Sequence, residues 1–187
     1  QITYNNMLKR EVRKKANKLC INNLEIHTFH SLAVKYYDEK SFTDEEIKKI
    51  IKLIKPLKKI FFSQSNDLLN KSNKNNQDEQ INWIRPIDIL FIDETQDMIF
   101  DYYFLIKKFL SDTKSNPQII ILGDKNQGIY DFKGADSRFL TLGDKIWVST
   151  NKFIKMDLSY SFRLTDQIGW FVNNVMLNYQ RIQTNKP

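Results

Sequence analysis

Ile87-Asp88-Ile89-Leu90-Phe91-Ile92-Asp93-Glu94-Thr95-Gln96-Asp97 runs an apolar strand directly into two adjacent carboxylates. Hydrophobic positions on both faces of the strand imply a central parallel strand covered by helices. A second apolar run, Ile119-Ile120-Ile121-Leu122, stops at Gly123-Asp124-Lys125-Asn126-Gln127. Between them, residues 98–110 set Met98, Ile99, Tyr102, Tyr103, Leu105, Ile106 and Phe109 at the spacing of a crossover helix. Together these make one βαβ unit whose two polar strand ends reach the same rim. In an open parallel sheet that carboxyl-terminal rim is where phosphate ligands bind.

The 187 residues suit one domain, or one domain and the beginning of another. A hydrophobic fraction of 41% supports a packed core, which excludes global disorder. A formal charge of +7 and a pI near 9.3 suit a polyanionic partner, and 13% aromatic content offers surfaces on which bases stack. By itself this is weak, since lysine-rich helices are usually solvated faces. One cysteine, Cys20, rules out an internal disulfide framework and fits a reducing, intracellular compartment. No apolar stretch approaches membrane length, and no signal peptide opens the chain. Two histidines and one cysteine make a zinc site implausible.

Working outward from the βαβ unit, residues 6–19 read as a basic helix. Met7, Leu8, Val12, Ala16 and Leu19 lie on one side of it, and Lys9, Arg10, Arg13, Lys14, Lys15 and Lys18 on the others. Residues 24–28 read as a short strand and 29–37 as a helix. Thr43-Asp44-Glu45-Glu46 is a capping signal ahead of Ile47, Ile50, Ile51 and Ile54, and Pro56 ends or kinks that helix. Residues 63–80, rich in Asn, Gln, Ser, Lys and Asp, read as an exposed loop. Residues 147–157 contain another strand, and Thr165 caps a last amphipathic helix bearing Ile168, Phe171, Val172, Val175 and Met176.

Three strings in order, Asp93-Glu94-Thr95-Gln96-Asp97, the stretch from Gly123-Asp124-Lys125-Asn126-Gln127 to Gly134-Ala135-Asp136, and Leu158-Ser159-Tyr160-Ser161-Phe162-Arg163, strongly resemble superfamily 1 DNA helicases of the UvrD/Rep type. Further back, Ile2-Thr3-Tyr4-Asn5-Asn6 is similar to that family's first DNA-contacting segment and His27-Thr28-Phe29-His30-Ser31-Leu32 to its second. The resemblance implies a three-layer α/β RecA-like fold of the P-loop NTPase type, incomplete at its N-terminus. It assigns residues 1–157 to a first RecA-like domain with a reduced helical insertion at about 38–80, and 158–187 to the hinge and start of a second. The family's phosphate loop, G-x-x-x-x-G-K-[ST], does not occur in the sequence, which begins at Gln1 inside an internal motif. The expectation is therefore a middle piece of a larger helicase, inactive as an ATPase alone, whose partners include the remainder of the helicase chain.

The implied cofactors are ATP and Mg2+, and the implied track is single-stranded DNA travelled 3′ to 5′, with RNA left open. Asp93 is the metal ligand, since a hard cation beside the β and γ phosphates needs an anionic oxygen. Glu94 polarises the attacking water, Gln127 detects the γ phosphate, and Arg163 reaches it across a cleft between domains; these three are the catalytic set. Asp93, Gln96 and Phe162 contact the nucleotide, Phe162 by stacking on adenine. Ser161 stands where the family more often has Asn, so a hydrogen bond is in question there. Tyr4, Thr28, His30, Tyr130, Phe132 and Lys133 form the nucleic-acid set, with Phe132 and Lys133 at positions often filled by Trp and Arg. Asp131 stands where many relatives carry a base.

Each assignment has a plainer reading. Asp93 and Glu94 could cap the following helix, and for Asp97 capping and function are equally open. Asp124 could hold loop geometry and Gln127 satisfy turn carbonyls. Phe29 favours core packing, and His30 could be a hydrogen-bonded structural histidine. For the whole chain the rivals are a non-catalytic nucleic-acid-binding module, opposed by the intact Asp93, Glu94, Gln127 and Arg163, and a metal-dependent nuclease, opposed by the lack of a further acidic cluster.

Overall fold

Side-chain caps open the first three helices. The Asn5 side-chain Oδ1 accepts from Leu8 N at 2.7 Å to start α1 (Asn6–Lys18). Thr28 and Ser31 form a reciprocal capping box on α2 (Phe29–Tyr36), as do Thr43 and Glu46 on α3 (Asp44–Lys52). Each box satisfies backbone donors that the first turn leaves unpaired. These residues belong to a computed structural model that describes residues 1–53, 86–147 and 152–186, in two compact units, Gln1–Asn151 and Lys152–Pro187.

In the first unit, β1 (Ile89–Ile92) is joined by α4 (Phe100–Asp112) to β2 (Gln118–Ile121). The strands pair in parallel, from Ile89 opposite Gln118 to Ile92 opposite Ile121. Ile2 extends the sheet through isolated parallel bridges to Ile92 on one side and His27 on the other. Its N–H donates to Phe91 O at 2.8 Å and its carbonyl accepts from Asp93 N at 3.0 Å. Two short helices, α5 (Arg138–Thr141) and α6 (Gly143–Ile146), follow, and the Trp147 indole donates to Phe139 O at 3.0 Å.

The core joins Phe29, Leu32, Ala33 and Tyr36 of α2 to Ile47 and Ile50 of α3, Leu105, Ile106 and Phe109 of α4, and Leu90 and Ile92 of β1. Each large aliphatic or aromatic side chain so buried contributes about 1.5–3 kcal/mol. Two tyrosines tie this layer to acids, Tyr102 Oη donating to Asp44 at 2.7 Å and Tyr37 Oη to Asp112 at 2.8 Å. Burial holds both phenols well above the usual tyrosine range, and the accepting carboxylates add to it. Both hydroxyls stay protonated donors.

The second unit contains β3 (Tyr160–Thr165), α7 (Asp166–Phe171), a π-helical turn over Val172–Met176 and β4 (Gln183–Lys186). β3 and β4 pair in parallel with a register shift between Ser161 and Thr165. Asn173 fastens the unit: its amide donates to Ile182 O at 2.8 Å and its oxygen accepts from Ile182 N and Arg181 N. Ile168, Phe171, Val175 and Met176 are exposed.

The structure corrects several expectations. Residues 24–28 form only the bridge at His27, opposite Ile2. Of the stretch 147–157, residues 148–151 lie outside the described residues and 152–157 form no strand; a strand does form at Tyr160–Thr165, where Gln183–Lys186 provides a pairing edge. Thr165 occupies the position before α7 but makes no capping bond. On α1 only Ala16 is fully buried, while Met7 and Leu19 are exposed, Met7 projecting about opposite Ala16 and Leu19 lying past the last turn. β1 is covered on one face: Leu90 and Ile92 are buried, whereas Ile89 is exposed, so among the described residues the second face lacks a helical layer. Pro56 and the polar tract 63–80 lie outside the described residues.

Candidate functional site

Both polar strand ends arrive at one rim, and hydrogen bonds knit them together. After β1 the chain turns sharply through Glu94, which adopts the left-handed conformation (φ 53°, ψ 43°). Thr95 N–H donates across to Leu122 O at 2.9 Å, and its hydroxyl donates back to Ile92 O at 3.1 Å. Gln96, only 1% exposed, donates from Nε2 to Glu94 Oε2 at 2.7 Å and accepts at Oε1 from Asp124 N at 3.2 Å. Asp124 then accepts from Asn126 N at 3.0 Å and from Gln127 Nε2 at 3.2 Å. An unbroken path of side chains and backbone thus runs from Glu94 through Gln96 and Asp124 to Gln127. Gly123 makes it feasible: a Cβ there would collide with Gln96 Oε1 and stand 3.2 Å from Thr95 N.

Asp93 is half-buried beside this path, its Oδ1 accepting from Glu94 N at 3.0 Å. Burial raises its carboxyl above the usual range, and the Glu94 charge adds to the shift. Neither acid caps α4, whose preceding residue is Ile99 and which has no side-chain cap. Asp97 does not cap it either; its carboxylate accepts from Ile129 N at 3.4 Å, bracing the loop after β2. Burial raises the Asp97 carboxyl as well. Among the described residues no group of three or more His, Cys, Asp or Glu could hold a metal unaided.

A second cluster is aromatic. The rings of Tyr4 and Tyr130 stack with centroids 5.6 Å apart, and Phe132 follows Tyr130 at 6.1 Å. Lys133 Nζ lies 5.1 Å from the Tyr130 ring centroid and 5.7 Å from that of Phe132. Phe132 is 79% exposed, whereas Tyr4 is half-buried and its phenol is pushed up to about 12, by burial first and then by Asp97. Behind them Phe29 stacks on Tyr102 at 4.2 Å within the core. His30 sits edge-on to Tyr102 with Nε2 3.1 Å from Asp44 Oδ1, and the Thr28 hydroxyl is engaged in the cap of α2. The residues of the nucleic-acid set therefore differ: Tyr4, Tyr130, Phe132 and Lys133 form one group of rings and charge, while Thr28 and His30 have structural partners.

In the second unit Phe162 is 74% exposed on β3 and Arg163 beside it is exposed. The Ser161 hydroxyl accepts from Arg163 N at 3.3 Å and from Leu164 N at 3.2 Å, so the serine makes a local bond where a hydrogen bond was in question. Sequence reading gave no part to Thr95, whose two bonds fix the turn. A hydroxyl directly after the acidic pair was its only signal.

An α/β unit with small parallel strands and an acidic pair at the strand end defines the class, and comparison with known proteins agrees. Residues 52–145, half of the chain, match the UvrD/REP helicase N-terminal domain, and the chain belongs to this family. It is 38% identical over 87 residues to the ATP-dependent DNA helicase Rep of Buchnera aphidicola subsp. Schizaphis graminum, covering 46% of this chain and 13% of that protein. To the protein of the same name from the subspecies Acyrthosiphon pisum it is 31% identical over 105 residues, 56% of this chain and 15% of the relative. The matched stretch thus spans 13–15% of those relatives' length.

Proposed function

We propose that the chain is the central part of an ATP-dependent DNA helicase that couples ATP hydrolysis to movement on single-stranded DNA. The carrying observation is the hydrogen-bonded path from Glu94 through Gln96 and Asp124 to Gln127. It joins a residue suited to polarising water to one suited to detecting the γ phosphate, across two strand ends. In this reading residues 1–157 belong to a three-layer RecA-like domain, residues 158–187 form the hinge and start of a second, and movement runs 3′ to 5′.

The residues at the rim fit a magnesium ion. The ionised form of Asp93 is disfavoured by burial and by Glu94, so a cation would relieve it, and a hard divalent ion accepts one carboxylate plus phosphate oxygens. When bound, that ion supplies positive charge to the β and γ phosphates. Glu94 holds the attacking water and accepts its proton, while Gln96 positions Glu94 through one Nε2–H and keeps its second N–H for the nucleotide. Gln127 reports the γ phosphate to the Tyr130–Lys133 loop, because both leave the same strand end. Phe162 stacks on the adenine and Arg163 meets the γ phosphate, where a planar guanidinium suits spreading negative charge. Tyr4, Tyr130 and Phe132 offer π faces that grip any base, as a motor indifferent to sequence requires.

ATP hydrolysis by the full-length protein tests this, measured with and without a single-stranded oligonucleotide. Magnesium-dependent hydrolysis that rises severalfold on adding DNA is the expected result. Absence of hydrolysis at any DNA concentration, with the protein folded, would overturn the proposal.

A further inference from the structure

Helix α1 carries a charge that the rim and the aromatic group do not use. Its thirteen residues, NMLKREVRKKANK, hold six Lys and Arg against one Glu, a net +5 out of the chain's formal +7. Arg10, Lys14 and Lys18 fall at successive i, i+4 positions and are all exposed, so they line one outer stripe of the helix. Among the described residues none of the three has a carboxylate partner; the ion pairs of this unit lie elsewhere. Arg13 is separate, since it donates to Ile26 O at 2.7 Å and fastens the helix to the body.

Such a stripe is costly to the fold. Like charges four apart on a helix repel, here between Arg10 and Lys14 and again between Lys14 and Lys18. Burial holds the Lys9 ammonium below the usual lysine range, and Arg13 and Arg10 lower it further. Little inside the helix compensates, because Ala16 is its only buried residue. A solvated face would interleave several acids with these bases; this helix has Glu11 alone, which makes no ion pair with Arg10, Lys14 or Lys18 among the described residues.

Position supplies the direction. α1 begins two residues after Tyr4, through the Asn5 cap, and Tyr4 is stacked on Tyr130 in the aromatic group. From that residue the helix runs on for about 20 Å, the length of thirteen residues at 1.5 Å each. We infer that the outer face of α1, through Arg10, Lys14 and Lys18, binds the phosphodiester backbone of the nucleic-acid strand beyond the bases held by Tyr4, Tyr130 and Phe132. The proposal rests on the reading of the chain as part of a nucleic-acid motor, and adds to it a backbone contact free of base recognition. Cations spaced along a helix touch phosphates, which carry no sequence information, so this contact extends the grip without making it selective.

The test measures the salt dependence of (dT)20 binding by the full-length protein. In the combined variant Arg10→Gln, Lys14→Gln, Lys18→Gln, the slope of log affinity against log salt should become shallower by about 2, three phosphate contacts at roughly 0.7 each on a single strand. The single variant Lys14→Gln should lose about a third of that, and the charge-keeping set Arg10→Lys, Lys14→Arg, Lys18→Arg should retain the parent slope. A thermal midpoint at or above the parent's establishes that the fold is intact, a rise being what relief of the like-charge repulsion produces. An unchanged slope in the folded triple and single Gln variants overturns the inference. Phe132→Ala separates it from the wider reading. If that change weakens binding while the Gln variants leave the slope alone, the aromatic grip stands and the α1 contact falls. If the Gln variants flatten the slope while Phe132→Ala does nothing, α1 stands and the aromatic grip falls.

Discussion

Glu25, a half-exposed carboxylate, and Asp93, a half-buried one, are treated by the protein in opposite ways. Glu25 Oε2 accepts from His27 Nε2 at 2.9 Å, Lys35 Nζ at 2.7 Å and Tyr36 Oη at 2.7 Å. These donors, His27 foremost, hold its carboxyl well below the usual carboxylate range although burial opposes them. Asp93 accepts one backbone N–H, lies next to another acid, and is raised by burial. The first acid finds its counter-charge within its own fold, whereas the second is left wanting a cation. A carboxylate the chain satisfies is a fastening; one it leaves unsatisfied at a strand end is available for chemistry.

The sharpest way to break that distinction is to remove charge at the rim. Glu94→Gln keeps shape and a polar oxygen but cannot take a proton from water, so turnover of the full-length protein should fall by ~10²-fold or more with nucleotide affinity largely kept. Asp93→Asn should instead weaken the magnesium-dependent part of nucleotide binding. Steady-state kinetics and nucleotide titration read both, and near-normal turnover in Glu94→Gln would dissolve the contrast. In the other corner, Glu25→Gln should lower stability by about 1 kcal/mol in chemical denaturation, since a half-exposed acid loses charge-assisted bonds that solvent partly replaces. Turnover per folded molecule should stay at the parent's level; a loss there would make Glu25 more than a fastening.

The smallest effect is on pH. Burial holds the His27 imidazole below its ordinary 6.5, outweighing the pull of Glu25, so the folded state prefers the neutral ring. Neutral His27 donates from Nε2 to Glu25 and leaves Nδ1 as a buried acceptor without a partner. Both His27 and Glu25 thus have depressed folded values, and each contributes stability that is complete above its unfolded value and lost as pH falls through the folded one. The thermal midpoint should decline by a few degrees as pH falls below about 6.5. His27→Gln, which keeps a donor and cannot charge, should flatten the upper part of that decline; an unchanged profile would remove His27 from it.

Much of this was readable in the chain because it is local. The periodicities of Ile89–Ile92, Gln118–Ile121 and the intervening helix, and the Thr43-to-Glu46 capping box, depend on neighbours a few residues away. What escaped depends on distant partners. The burial of Gln96 requires Asp124 N and Gly123 from another strand end, and the bridging of residues 24–28 requires Ile2. Of the strand expected within 147–157, residues 148–151 lie outside the described residues and 152–157 form none, whereas Tyr160–Thr165 has Gln183–Lys186 to pair with. Capping by Asp97 was undecidable from spacing, because the tight turn at Thr95–Asp97 delays α4 until Phe100.

Glu94 itself carries the remaining lesson. A glutamate held at φ 53° sits in a conformation that costs a residue with a Cβ about 1–2 kcal/mol, and a glycine would relax there. Selection for a hardier fold would therefore favour replacing the one side chain that the proposed chemistry needs most. The strain at Glu94 thus places a stability cost on the very residue to which the proposed chemistry gives the water.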